Sequence, residues 1–96
     1  YINKIKIFSE KNNLNLEFVL LPYTYQVQNN CNPNTLKPQN EIIRIFNNLN
    51  LKLNDYTQDF CKIGKKNDLF LPYDPVHLSI YGHKYVSDLL VKDQIF

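Results

Sequence analysis

The run Phe18-Val19-Leu20-Leu21, closed by Pro22, constrains this chain more than any other feature. Four consecutive apolar residues leave no wet face, so a strand made of them must be covered on both sides. Strands of that kind belong to parallel sheets with helices packed over each face. Pro22 has no amide hydrogen to give to a neighbouring strand, so the strand stops there and a loop opens.

The segments around this strand supply the helices such a sheet needs. Residues 1–12 place Tyr1, Ile5 and Phe8, with Ile2 beside them, on one side of a 3.6-residue period, which predicts a helix ended by Asn12 and Asn13. Residues 23–37 show no period and read as one long loop, long enough for a role in binding. From about Thr35 to Leu49 the helical period returns, with Ile42, Ile45, Phe46 and Leu49 on a shared face. Pro38 falls in its first turn, where a missing N–H costs nothing. "LNLKLND" then alternates Leu49, Leu51 and Leu53, as a short strand ending at Asp55 does.

After a loop around Gly64, a last helix is expected over residues 80–91. Ser79 caps it, and Gly82, Val86 and Leu89 or Leu90 face inward. A strand, a long helical crossover and a second strand make a parallel unit, so the fold class is α/β, a portion of a three-layer sheet. Ligands of such sheets bind beyond the carboxyl ends of the strands. The loops after Pro22, after Asp55 and through Asp74–His77 are therefore expected at one edge.

Composition narrows the function. The 96 residues fit one small domain or one piece of a larger one, and 44% hydrophobic content supports a real core. Eleven basic and nine acidic residues are mixed along the chain, with a net charge of only +2. No basic stripe marks a nucleic-acid partner; the densest cluster, "KIGKK" at 62–66, reads as a solvated loop. No apolar run is long enough for a transmembrane segment. The chain starts at Tyr1 inside a helical pattern, with neither Met nor a signal-peptide layout, so a C-terminal or internal piece of a longer protein is expected. Cys31 and Cys61 lack the close pairing that zinc wants. A disulfide between them requires an oxidising, extracytoplasmic compartment, two free thiols do not, and the sequence leaves both open.

The chemistry concentrates in "DPVHLSIYGHKYV", residues 74–86. A catalytic histidine needs one ring nitrogen facing the reaction and the other held by an acceptor. Asp74, three residues ahead on a turn stiffened by Pro75, can fold back onto His77 and fix its tautomer. His77 is then a general base and afterwards a general acid. The same residues also suit a plain capped turn.

The longer pattern D-P-V-H-L-S-x-x-G-H-x-x-V resembles the C-terminal signature block of the SGNH (GDSL-like) hydrolases. The order of helix, strand, helix and short strand before it is similar to that family's last units. The likeness therefore covers essentially residues 1–96, although only residues 74–86 are specific. It implies the C-terminal part of a flavodoxin-like α/β/α domain. It further implies hydrolysis of acyl esters, often acetyl, on carbohydrate or lipid, with no cofactor. Asp74 and His77 correspond to the Asp and His of its Ser-His-Asp triad.

The family's Gly-Asp-Ser and Gly-x-Asn-Asp blocks have no counterpart, since Gly64 and Gly82 are the only glycines. The nucleophile and the oxyanion donors are therefore expected from a missing N-terminal segment of the same domain, which is the expected partner. Ser79 reads as an N-cap rather than a nucleophile. His83 could join Asp74 and His77 around a metal, but no fourth ligand is evident, so no metal is expected. Asp55 reads as a cap. Tyr23 and Tyr25, with Gln26, follow a strand end where they could stack on and hydrogen-bond an acyl-bearing sugar, or simply pack on the body. Three functions fit: an esterase, an acyl transferase acting on a polysaccharide, and a non-catalytic glycan-binding or structural domain.

Overall fold

The computed structural model describes residues 1–63 and 68–95. The basic cluster assigned to a solvated loop lies largely outside them, as does Gly64. The chain forms a small mixed helix/strand domain in the order α1 (Ile2–Lys11), β1 (Phe18–Leu20), α2 (Thr24–Gln28), a 3₁₀ turn (Pro33–Thr35), α3 (Lys37–Asn48), β2 (Leu53–Asp55), α4 (Thr57–Lys62) and α5 (Ile80–Lys92). β1 and β2 pair in parallel with Phe18 opposite Leu53 and Leu20 opposite Asp55. Among the described residues neither outer edge of this pair has a strand beside it. No described helix is long and apolar enough to cross a membrane.

Two of the expected loops are partly helical. Residues 23–37 contain α2 and the 3₁₀ turn, and the stretch after Asp55 begins with α4. Both helices are too short to show a period, and isolated helices of that length are unstable in water. Tertiary contacts hold them. Gln26 and Gln39 are buried and exchange amide hydrogen bonds of 2.6 and 2.8 Å, tying α2 to α3. Gln26 Nε2 also donates to the Thr35 carbonyl, and its Oε1 accepts the Tyr23 amide. Gln26 is thus a core polar residue rather than a ligand contact.

Cys31 and Cys61 form a disulfide that joins the end of α2 to α4, with Cα atoms 6.0 Å apart. Closing a loop of 30 residues removes unfolded-state entropy worth roughly 3–4 kcal/mol. The Cys31→Ser/Cys61→Ser protein is expected to lose stability of that order, read as a lower midpoint in urea denaturation. An unchanged midpoint would show that the bridge holds nothing.

Asparagine does what glycine usually does at the helix ends. Asn13, Asn30 and Asn50 follow α1, α2 and α3 with φ of 54–55°, the left-handed conformation that closes helices. Each is flanked by the paired backbone bonds of that closure, as in Leu14 N–H to Ser9 C=O at 2.8 Å. Asparagine tolerates this backbone better than most residues, which suits a chain with two glycines.

The main cluster gathers Val27, Tyr56, Phe60, Leu69, Phe70 and Leu89, with Tyr85 and Val86 of α5 against it. Phe60 lies 5.4 Å from the Tyr85 ring and 6.0 Å from Phe70. Phe18 meets Phe46 of α3 edge-on at 4.9 Å, so one face of the strand pair is covered. Val19, on the opposite face, is exposed. α1 also departs from its apolar pattern. It buries Ser9 and half-buries Ile2 and Lys6, while Tyr1, Ile5 and Phe8 face solvent. Lys6 Nζ donates to the Leu49 carbonyl at 2.7 Å, a cation set on the negative end of α3.

Candidate active site

Residues 69–79 run out and back as a narrow loop. Phe70 bridges Leu78 in antiparallel fashion, Ser79 N–H donates to Leu69 C=O at 3.0 Å, and Leu71 N–H donates to His77 C=O at 2.9 Å. The tip, residues 72–76, reverses at Tyr73, whose φ of 59° lies in the left-handed region. A tyrosine there costs about 1–2 kcal/mol, which the bonds around it must offset. α2 anchors the tip: Thr24 N–H donates to Pro75 C=O at 2.9 Å and Thr24 Oγ1 to Asp74 C=O at 3.0 Å. Since α2 follows β1 through Pro22, the tip sits at the carboxyl edge of the sheet. α4 starts at the same edge after β2, where Asp55 Oδ1 caps the Thr57 amide at 3.0 Å.

Asp74 both caps the turn and holds His77. Its Oδ1 accepts the backbone amides of Val76 and His77 at 3.0 and 2.9 Å, while Oδ2 lies 2.8 Å from His77 Nδ1. The Val76 and His77 amides, and then the imidazole, hold the Asp74 carboxyl below the usual carboxylate range. It is therefore an anion at neutral pH and can only accept. The proton between the two residues belongs to Nδ1, which leaves Nε2 as the basic nitrogen. The His77 side chain is 72% exposed and that of Asp74 28%, so Nε2 is open to an incoming group while the contact that orients it is half-sheltered.

The remaining candidates take other positions. Ser79 caps α5, its Oγ accepting the Gly82 amide at 3.0 Å and donating to the Asp68 carbonyl. Ser9 is buried and donates to the Lys6 carbonyl. Ser87 lies on α5, roughly 12 Å along the axis from Ser79 at 1.5 Å per residue. Of the described serines, none is placed to lose a proton to His77. His83 is exposed on α5, and among the described residues no group of three or more His, Cys, Asp or Glu could hold a metal. Tyr23 and Tyr25 are both exposed.

Beside the pair opens a cleft of about 550 Å³ between α2 and the outgoing arm of the loop, with Tyr25, Val27, Gln28, Phe70, Leu71, Pro72 and Asp74 among its walls. Tyr25 thus borders the site and Tyr23 does not. Neither a period nor the Asp-x-x-His motif marks Phe70, Leu71 and Pro72. Their signal was two prolines, Pro72 and Pro75, enclosing the turn after an apolar run. Comparison with known proteins returns no matching family model, curated relative or solved structure.

Proposed function

We propose that residues 1–96 form the acid–base half of a serine ester hydrolase of the SGNH type. The observation that carries this reading is the 2.8 Å contact of Asp74 Oδ2 with His77 Nδ1 at the carboxyl edge of a parallel strand pair, with Nε2 left open. A serine hydroxyl brought to Nε2 gives up its proton as its oxygen bonds to the ester carbonyl carbon. The imidazolium, steadied by Asp74, returns that proton to the leaving alcohol. Water then repeats the sequence on the acyl-enzyme. The serine and the oxyanion donors come from polypeptide outside residues 1–96.

Three surfaces support a larger α/β/α, flavodoxin-like domain in which this chain is the last part. Val19 stands exposed on one face of the sheet, the strand edges are open among the described residues, and Ile5 and Phe8 of α1 face water. Further strands and helices would cover all three.

The test is ester turnover. The chain alone is expected to leave 4-nitrophenyl acetate at the buffer rate, whereas a protein extended to include the upstream serine segment hydrolyses it. Acyl transfer to an added glycan in place of water would assign a transferase. An extended protein with no turnover and no transfer would leave a binding domain.

A further inference from the structure

We propose that the cleft beside Asp74 seats a neutral, apolar acyl chain of medium length, in preference to acetyl. The inference rests on the ester-hydrolase reading and names its substrate class. The cleft, about 550 Å³, falls inside the range of about 300–1,000 Å³ typical of small-ligand sites. Acetyl brings one methyl group and would leave most of such a cleft wet. Val27, Phe70, Leu71 and Pro72 give it apolar walls from two directions, and Leu71 is 46% exposed. Hydrogen-bonding side chains line it at Thr24, Tyr25 and Gln28 on α2 and at Tyr73 and Asp74 on the turn.

Asp74 decides the charge of the occupant. Asp74 lines the cleft and its carboxylate is held in the pair with His77, so an anionic ligand entering the cleft comes near a fixed negative charge. Phosphate esters and free fatty acids are disfavoured on that ground, and neutral esters are not. The place of Asp74 on the wall also sets the direction. A chain seated in the cleft brings its carbonyl end beside the turn that presents His77.

Each methylene removed from water is worth about fourfold in affinity. Methyl hexanoate has four more than methyl acetate, and with partial burial it is expected to bind at least about tenfold tighter. The experiment titrates the chain with these two unreactive neutral probes and follows the methyl and amide signals by NMR. Signals of Val27 and Leu71 should move with methyl hexanoate. The shifts should weaken at least fivefold in Leu71→Asp and in Tyr25→Ser, both exposed positions that the fold tolerates.

Equal affinity for the two probes, shifts confined to other surfaces, or unchanged binding in both variants would overturn the proposal. Because the titration needs no turnover, its failure leaves the acid–base role of His77 standing. Loss of that role would equally leave binding in the cleft untouched.

Discussion

Replacing His77 by alanine is expected to lower kcat for a short acyl ester by at least about 1,000-fold in the extended, serine-bearing protein. The imidazole is the turn's general base, oriented through Nδ1 by Asp74, and its ring is largely exposed. A loss of that size cannot come from unfolding, because the side chain is 72% exposed and the circular dichroism of the variant should match the parent's. Asp74→Asn should also fall steeply. A carboxamide can present its NH₂ to Nδ1, favouring the tautomer in which Nε2 carries the proton and cannot act as base. Steady-state kinetics of both variants against the parent checks the pair. Parental turnover in His77→Ala would remove the hydrolase reading altogether.

The residues that carry this prediction were legible because their information is local. Asp74, Pro75 and His77 are close in sequence, and an Asx-type turn needs nothing from elsewhere in the chain. Ser79 as a helix cap, the Phe18–Leu20 strand and the face of α3 are equally local, being set by cap chemistry, a dry apolar run and a period. What escaped is held by distant contacts. α2 exists through the Gln26–Gln39 amide pair and the disulfide, neither of which leaves a periodic trace. The cleft is formed by residues some fifty positions apart, joined by the Thr24 bond to Asp74. α1 is the converse case. Its apolar stripe was visible, but Lys6 and Ser9 make the contacts and the stripe points outward. A pattern says that a face is apolar, and only the surroundings say whether it is covered.

Gly82→Ala is the substitution expected to damage the fold most. In the first turns of a helix a glycine-to-alanine change usually adds about 1 kcal/mol of stability. Here the sign reverses, because the added Cβ would stand 2.0 Å from the Leu69 carbonyl oxygen and 3.0 Å from its carbon. Both are backbone atoms, so no side chain can turn aside. The start of α5 must move away from the outgoing arm of the 69–79 loop by more than an ångström. That movement pulls on the Ser79 N–H bond to Leu69 C=O, 3.0 Å long, and on the Ser79 hydroxyl bond to Asp68. Overpacking against fixed backbone together with two lost bonds costs about 4 kcal/mol. For a domain of this size the melting temperature should drop by roughly 15 °C or more. A thermal melt followed by circular dichroism reads it directly, and a rise in Tm would mean that α5 has room the geometry denies. The same displacement acts on function. The two arms joined at Leu69 and Ser79 present the tip at its far end, so a shift at Gly82 reaches Asp74 and His77 without touching either. In the extended protein, Gly82→Ala should therefore lose turnover below its melting temperature, with the Asp74–His77 contact intact but aimed away from the serine.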